Sequence, residues 1–473
     1  MTKGEDSAGS LTARSVDFPR WYQEVVAGAE LAEGGPVRGT MVIRPWGFGI
    51  WELLVAELDR RIKQAGAQNA YFPLFIPGSF LSLEADHVEG FSPELAVVTM
   101  GGGKELEEPV VVRPTSETMV NHFFAQWIHS HRDLPLAINQ WSNVVRWEMR
   151  TRILLRTTEL LWQEGHTAHA TESEAAGYAR RILRDVYVQT CEDVMRIPVL
   201  TGEKTERERF AGAVRTWTCE AMMGDGKALQ MATSHELGQN FARPFKIQYA
   251  DEEGQLRYVF QTSWGASTRL LGALVMVHGD DFGLRLPPAL APTQVVVMMV
   301  RSEEATATAA QALASELAAA GIRVKVDSRT DLGFGRRSID WERKGVPVRV
   351  EIGPKDLASE QAVVVSRWQR SKRQVPLSSV RSQVEQVLRE TTEHLYLQAD
   401  AFAQARSQEV SSMAEVLEAA GKGFVTVPAS GLGDGMEDSL TEAGLGVRCL
   451  VRPDRSLHEI GETDLVAVVA RSY

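Results

Sequence analysis

Residues 143–169, NVVRWEMRTRILLRTTELLWQEGHTAH, decide the fold of this chain, because they read as two extended segments joined by a short loop. Side chains of a strand alternate between its two faces, so Arg146 and Glu148 share one face of the first segment. On the second segment, one face carries Arg156, Thr158, Leu160, Trp162, Glu164 and His166. Buried charges are costly unless they are paired or bind a ligand, so this face predicts a ligand site. The alternative is a strand pair with an exposed, solvated charged face.

The composition limits the class of protein. The 473 residues are 44% hydrophobic and 24% charged, which is ordinary for a globular chain of about three domains. The net charge of −11 means that any contact with nucleic acid must come from local basic patches. Cys191, Cys219 and Cys449 lie far apart and form no CxxC pair, so no disulfide framework is expected. The chain shows neither a run of about 18 apolar residues nor a signal-like N-terminus, so we expect a cytoplasmic protein without membrane spans.

The pattern of periodic segments divides the chain into parts. A long amphipathic helix is predicted over residues 173–196, within a large first domain. The proline-rich segment PPALAP reads as a linker, and the strand–helix–strand alternation after it predicts an α/β domain with a mixed sheet. A further helix is predicted over residues 391–408, at the start of a last domain. A disordered N-terminus and three domains are thus expected, over residues 1–16, 17–288, 289–390 and 391–473.

Two other stretches carry notable charge. Residues 260–281, FQTSWGASTRLLGALVMVHGDD, form a Gly- and Ser-rich turn that leads into an apolar helix with Arg269 at its start. An arginine beside the free N–H groups of a helix N-terminus predicts an anion site, whereas the alternative is a plain helix cap with a surface arginine. Residues 204–209, KTERER, are a charge run, which favours a solvated loop.

A series of blocks along the chain resembles prolyl-tRNA synthetases in their archaeal-like form. The block NAYFPLFIP resembles motif one of class II aminoacyl-tRNA synthetases, whose proline lies at the dimer interface. The other blocks are VRPTSE, NVVRWE, LLWQEGHTAH, TSHELGQNF, SWGASTR and MVHGDD. The resemblance implies an α+β fold: a class II antiparallel-sheet catalytic domain, an α/β anticodon-binding domain and a small α+β C-terminal domain. It also implies a homodimer that forms prolyl-adenylate from proline and ATP, with Mg²⁺, and then charges proline tRNA.

The resemblance also assigns roles to residues. It makes Arg146 and Arg269 the catalytic residues, because an arginine fork binds phosphate at two points. The residues implied in ATP binding are Arg146, Glu148, Arg156, Thr157, Leu160, Gln230, Thr233 and Arg269. The residues implied in amino-acid binding are Thr115, Glu117, Arg146, Trp162, Glu164, His166, Phe210, His235 and Ser263. The positions that match anticodon-reading residues are Glu342, Lys344, Arg349 and Glu351; without the resemblance they would read as an alternating strand with a charged outer face.

The chain departs from the family pattern at several positions. The archaeal-like form usually has four zinc-binding cysteines in its C-terminal domain, but only Cys449 remains, so no structural zinc is expected. Leu160 replaces the usual phenylalanine, and Met231, Ala232 and Ala266 replace Ala, Gly and Leu. We expect these changes to reshape the proline or adenosine site and to make the enzyme tolerant of inhibitors there; neutral drift is the alternative. Another alternative for the whole protein is a synthetase paralogue that binds tRNA or nucleotide in regulation without aminoacylation.

Overall fold

The computed structural model describes residues 11–81, 95–301, 303–431 and 434–473. Up to about residue 290, short helices alternate with mostly antiparallel strands. The strands are β1 (Ala32–Gly34), β2 (Met41–Ile43), β3 (Gln68–Asn69), β4 (Phe75–Pro77), β5 (Ala96–Gly101), β6 (Lys104–Val112), β7 (Leu136–Val145), β8 (Glu159–His169), β9 (Leu200–Glu203), β10 (Arg215–Met222), β11 (Ala228–Gly238), β12 (Gln248–Ala250), β13 (Leu256–Tyr258) and β14 (Phe260–Ser267). The helices are α1 (Phe18–Gly28), α2 (Pro45–Gln64), α3 (Gly78–Leu81), α4 (Glu117–Trp127), α5 (Glu172–Arg181) and α6 (Arg269–His278).

The central sheet of this first part has the strand order β9-β10-β11-β14-β8-β7-β3. All neighbours in it are antiparallel except β3 and β7. One face is covered by helices, because apolar residues such as Trp21 of α1, Leu54 of α2 and Leu274 of α6 form a single core with inward-facing strand residues such as Trp217. The opposite face is therefore left for polar side chains, and the candidate site lies on it.

The second part is the expected α/β unit. Its strands are β15 (Val295–Met299), β16 (Val324–Asp327), β17 (Val348–Ile352), β18 (Gln361–Ser366) and β19 (Ser371–Pro376), and its helices are α7 (Glu304–Ala319), α8 (Phe334–Arg343) and α9 (Pro354–Ala358). The sheet order is β16-β15-β17-β18-β19. Strand β15 is parallel to both neighbours, and the other pairs are antiparallel, so the predicted mixed sheet is confirmed.

The last part joins the central sheet. It contains α10 (Val380–Gln404), β20 (Ser407–Glu409), α11 (Met413–Ala419), β21 (Phe424–Pro428), α12 (Asp434–Glu442), β22 (Gly446–Val451) and β23 (Val466–Ala470). Strand β22 pairs with β9 at Leu450 and Glu203, so the central sheet continues into an 11-stranded sheet. The C-terminal part is thus bound edge to edge to the first part.

Several sequence expectations differ from the structure. The loop between β7 and β8 covers residues 146–158, so Arg156 and Thr158 lie outside the strands and the loop is not short. The helix expected over 173–196 is α5 followed by π-helical turns, Ile182–Val188 and Thr190–Val194.

The first and the last of the predicted domain boundaries also differ from the structure. The helix expected to begin at residue 391 is α10, which begins at Val380, because buried side chains at Val384, Val387 and Leu395 continue one apolar face without a break. The boundary at 390 therefore falls inside a helix. Residues 1–10 lie outside the described residues, but residues 11–16 contact the first part, where the main-chain N–H of Arg14 donates to Asp281 over 2.8 Å. Disorder up to residue 16 is therefore wrong for residues 11–16.

Candidate active site

A cavity of ≈ 270 Å³ lies on the polar face of the central sheet, over β8, β10, β11 and β14. Strand alternation brings Leu160, Trp162, Glu164 and His166 to this face, as the sequence predicts. Of the other predicted site residues, the cavity is also lined by Thr115, Glu117, Arg146, Phe210, Gln230, Thr233, His235, Ser263 and Arg269. Residues far apart in sequence therefore meet in one place.

Three of the predicted ATP-binding residues do not line this cavity. Glu148 and Arg156 form an ion pair in the loop after β7, with 2.9 Å between Arg156 Nη2 and Glu148 Oε2. Thr157 is buried, donates its hydroxyl hydrogen to the main-chain oxygen of Glu159, and lines a neighbouring cavity. These residues stand at the rim of the site, on the loop that the sequence placed within strands.

Arg146 and Arg269 put positive charge at one end of the cavity. Arg146 Nε donates to the main-chain oxygen of Pro114 over 3.1 Å, and its guanidinium lies 5.1 Å from the centre of the Trp162 ring. Arg269 is the first residue of α6, where the free N–H groups of the helix add positive potential. Burial and the nearby charge of Arg146 lower the pKa of Arg269 to about 10. This end of the cavity is therefore suited to an anion.

Acidic and imidazole groups also line the cavity. Glu164 and His166 are both buried, with 3.5 Å between Glu164 Oε2 and His166 Nε2. Burial favours the neutral form of each group, but their attraction at this distance prevails, so the pKa of Glu164 is lowered and that of His166 is raised. Thr115 donates its hydroxyl hydrogen to Glu117, whose charge also acts on His166. Each group of the pair therefore favours the charged form of the other.

Close packing of Gly165 fixes this pair on its strand. A Cβ atom at Gly165 would lie 2.1 Å from ring atoms of Trp264, which packs against β8 from the core side.

His235 is held between two hydroxyl groups, with Nδ1 2.9 Å from Thr216 Oγ1 and Nε2 3.0 Å from Thr233 Oγ1. Burial lowers the pKa of His235 to about 3, so the ring is neutral. Phe210 packs on it with ring centres 4.6 Å apart, which gives the cavity an apolar wall.

The replaced residues are not equivalent in position. Leu160, Met231, Ala232 and Ala266 all line the cavity. The register pairs Ala232 with Ala266 and Ala266 with Gln163, however, which places these alanines on the core face of the sheet. Met231, Ala232 and Ala266 accordingly pack in the main hydrophobic core. Only Leu160 lies on the strand face that is turned toward the cavity.

A buried charge cluster beside the site was missed by sequence reasoning. Glu220 of β10 is fully buried, accepts a hydrogen bond from Lys204 Nζ over 2.8 Å and another from Arg448 Nε over 3.2 Å. We call these three residues the Lys204–Glu220–Arg448 triad. The prediction that the run from Lys204 is solvated is wrong for Lys204, which is 2% exposed. The sequence offered one signal for this pairing: Glu220 is the lone acid in the apolar strand β10, and a buried acid needs a cation beside it.

The α/β part has a separate small cavity of ≈ 130 Å³, lined by Glu342 and Arg349 among others. Glu351 lies beside it and forms ion pairs with Arg349 over 2.9 Å and with Lys372 over 3.1 Å. Lys372 lines the same cavity, although the sequence did not single it out. Lys344 turns the other way and forms an ion pair of 2.7 Å with Glu30 of the first part. The predicted anticodon residues are therefore brought together except for Lys344.

The fold agrees with the protein families that the chain matches. Residues 98–278 match the tRNA synthetase class II core domain (G, H, P, S and T), and residues 294–387 match an anticodon binding domain. The chain therefore has the architecture of a class II aminoacyl-tRNA synthetase.

More specific relatives cover nearly the whole chain. Proline–tRNA ligase of Frankia casuarinae is 58% identical over 98% of this chain and 99% of the relative. Proline–tRNA ligase 2 of Streptomyces avermitilis is 57% identical with the same coverage. A crystal structure of prolyl-tRNA synthetase from Cryptosporidium parvum, complexed with halofuginone and AMPPNP, superposes with a TM-score of 0.92 at 37% identity, over 98% of this chain and 99% of that one. The chain belongs to the prolyl-tRNA synthetase family.

Among the residues that the structure describes, no three or more His, Cys, Asp or Glu side chains are grouped to hold a metal ion. In the same described ranges, no helix is long and apolar enough to cross a membrane.

Proposed function

We propose that this protein attaches proline to its tRNA in an ATP-dependent reaction that passes through prolyl-adenylate. The observation that carries the proposal is the polarity of the cavity. Arg146 and Arg269 bring positive charge to the cavity, and Glu117 and the Glu164–His166 pair bring acidic groups to the same cavity. An amino acid placed between them would direct its carboxylate toward the arginines and its ammonium toward the acids.

The first step forms one bond and breaks one. A carboxylate oxygen of proline attacks the α-phosphorus of ATP, and the bond from that phosphorus to the oxygen bridging to the β-phosphate breaks, which releases pyrophosphate. The carboxylate is already ionised, so the step needs no protein base. Arg146 would hold the carboxylate and the α-phosphate together, and Arg269 and Arg156 would bind the outer phosphates. Glu148, Thr157, Leu160, Gln230 and Thr233 would surround the adenosine.

The second step transfers proline to tRNA. A ribose hydroxyl of the terminal nucleotide attacks the carbonyl carbon of the adenylate, and AMP leaves with the bonding electrons. The proline ring would lie against Trp162, Phe210 and the neutral ring of His235, close to Ser263. Trp162 can also face the secondary ammonium of proline, because the face of an indole attracts cations. Thr115 and Glu117 would accept its hydrogen bonds.

The Mg²⁺ requirement is proposed to be met by the nucleotide. Mg²⁺ commonly binds through substrate phosphates and only one or two carboxylates. An ion delivered on ATP would neutralise phosphate charge alongside the arginines.

The division of labour follows the expected domains. Residues 17–288 would catalyse both steps, residues 289–390 would bind the anticodon, and residues 391–473 would complete the central sheet. Glu342, Arg349 and Glu351 would read anticodon bases together with Lys372, whereas Lys344 would hold the α/β part against Glu30.

We propose a homodimer in the cytoplasm. Its interface would lie around β4 and β5, where Tyr71, Phe75, Val97 and Met100 are exposed.

Of the residues that depart from the family pattern, Leu160 alone supports the expected tolerance of inhibitors. Leu160 faces the cavity, and a missing ring there would remove a stacking surface worth about 1 kcal/mol. The other replacements pack in the core, which favours neutral repacking for them. Halofuginone is a suitable probe, since the structural neighbour was crystallised with it. Leu160→Phe alone should lower the inhibition constant by about fivefold, and the further changes Met231→Ala, Ala232→Gly and Ala266→Leu should add little. Equal constants for all versions would leave drift as the better account.

ATP–pyrophosphate exchange with a panel of amino acids tests the proposed function. Exchange should be fastest with proline, with slower exchange for alanine because an apolar pocket discriminates poorly against a smaller side chain. Charging of proline tRNA should follow in the same preparation. A protein that binds tRNA but exchanges pyrophosphate with no amino acid would instead favour a regulatory paralogue.

A further inference from the structure

Gln140 lies in the centre of β7, directly opposite Glu164 of β8 in the strand register. It is 1% exposed, and its side chain is on the same face of the sheet as the candidate amino-acid pocket. Its Nε2 donates to Glu164 Oε1 over 2.9 Å and to Ser116 Oγ over 3.2 Å. Its Oε1 accepts a hydrogen bond from the main-chain N–H of Phe72. The amide therefore bridges a main-chain segment and a buried carboxylate.

Only a side chain with both a donor and an acceptor can make this bridge. A carboxylate at position 140 could accept from Phe72 but would repel Glu164, and an aliphatic side chain would leave both partners without their hydrogen bonds. The N–H of Phe72 also fixes which end of the amide faces Glu164, because that N–H needs an acceptor. Gln140 therefore has one orientation, and in it the donor end points toward the pocket.

The other contacts of Glu164 show how the hydrogen bond from Gln140 helps to hold this carboxylate in place. Glu164 Oε1 also accepts from Ser116 Oγ over 2.5 Å and from Ser142 Oγ over 3.4 Å. Glu164 Oε2 accepts from the main-chain N–H of Ser116 over 3.2 Å and faces His166 Nε2. Protein donors thus occupy both oxygens, so Glu164 is better placed to orient His166 than to bind the substrate ammonium directly. The ammonium is left to the Thr115–Glu117 side of the pocket.

We propose that Gln140 is a positioning residue of the amino-acid pocket: with Ser116 it holds Glu164 in place, and Glu164 in turn holds His166 against the bound amino acid. The inference rests on the proposed function, since it takes the pocket to be the proline site. It assigns the effect to proline binding alone, because the amide contacts neither the arginines nor the residues expected around adenosine.

The test measures ATP–pyrophosphate exchange for Gln140→Leu and Gln140→Glu in the full-length protein. Hydrogen bonds to charged groups make the largest individual contributions of this kind, so the KM for proline should rise by about 10- to 100-fold in both variants. The KM for ATP and kcat should stay within about twofold, and no such split between the two KM values follows from a merely structural role. Gln140→Glu keeps the shape and the acceptor for Phe72, so it reports on the pocket even where Gln140→Leu folds poorly.

Gln163→Leu is the matched control. Gln163 is a fully buried glutamine on the same strand pair, but its side chain lies on the opposite face, where Tyr187 donates to its Oε1 over 2.8 Å. The control should lower the melting temperature while leaving the KM for proline unchanged. An unchanged KM for proline in both Gln140 variants, or an equal rise of both KM values in the variants and the control, would overturn the inference. A parent protein without proline-dependent exchange would overturn the proposed function as well, and is recognised before any variant is compared.

Discussion

Two charged clusters on one face of the central sheet differ in how their charge is balanced. In the Lys204–Glu220–Arg448 triad, one carboxylate is held between two cations over 2.8 and 3.2 Å, and all three side chains are buried. In the cavity, Arg269 has Arg146 as its main charged neighbour, and the charge of Arg146 acts against it. The charge of Glu220 is thus balanced by two cations, whereas the strongest charge acting on Arg269 is a like charge, and Glu220 acts on it more weakly in the opposite sense.

The pKa shifts of Glu220 and Arg269 reflect this difference between the two clusters. Burial alone would raise the pKa of Glu220, but the charges of Lys204 and Arg448 lower it to about 2. For Arg269, burial and the charge of Arg146 act together to lower the pKa. A buried charge that lies beside a like charge costs stability unless a ligand offsets it. The triad joins the C-terminal part to the sheet, and we expect the arginines to bind an anionic substrate.

The largest expected effect is on stability, in Glu220→Gln. This change leaves two buried cations without their acid, which should cost about 3–5 kcal/mol of unfolding free energy. The control is Glu459→Gln, which breaks the exposed ion pair between Arg180 and the C-terminal part and should cost far less, because solvent screens an exposed pair. Urea unfolding followed by circular dichroism measures both. Equal losses of unfolding free energy in the two variants would show that the triad contributes no more to stability than the exposed ion pair.

The next effect is on catalysis, in Arg146→Ala. Removing a group that stabilises developing charge should lower kcat/KM for proline-dependent exchange by about 10²- to 10³-fold. The melting temperature should change less than the activity, because the proposed role of the guanidinium is to bind the substrate. Arg150→Ala, an exposed arginine of the same loop, is the control for loss of positive charge. Undiminished exchange in Arg146→Ala would contradict the assignment of the cavity.

The acid dependence of stability sharpens the comparison further. The folded pKa of Glu220 is about 2, below the ordinary value of about 4.3 for a glutamate in an unfolded chain. The stabilisation by its charge is therefore complete above about pH 4.3 and is lost as the pH falls toward 2. The stability difference between the parent and Glu220→Gln should be constant from pH 6 to 8 and should shrink below about pH 4. A difference that already shrinks between pH 8 and 6 would point to another titrating group.

The sequence predicts what depends on local periodicity. Alternation along β8 placed Leu160, Trp162, Glu164 and His166 on one face, and the structure confirms this. Alternation alone could not show that Ala266 faces the core, because that depends on its register with Gln163. The triad was also out of reach, since Glu220 and Arg448 are 228 residues apart and meet only because β22 extends the sheet beside β9. The family pattern had grouped Lys344 with the anticodon residues, but its position depends on Glu30, which lies in another part of the chain.

The most direct test of the proposed role of Arg269 is the melting temperature of the parent and of Arg269→Met, each measured with and without AMPPNP and Mg²⁺. Without nucleotide, the variant should melt close to the temperature of the parent, because relief of the repulsion by Arg146 offsets the loss of the hydrogen bonds from Arg269 to the main-chain oxygens of Leu155 and Gln230. With saturating nucleotide, the parent should gain several degrees, since a ligand that binds only the folded state stabilises it, and the variant should gain much less. A variant that melts well below the parent without nucleotide, yet gains as much from AMPPNP, would show that Arg269 is a structural residue and would contradict the account.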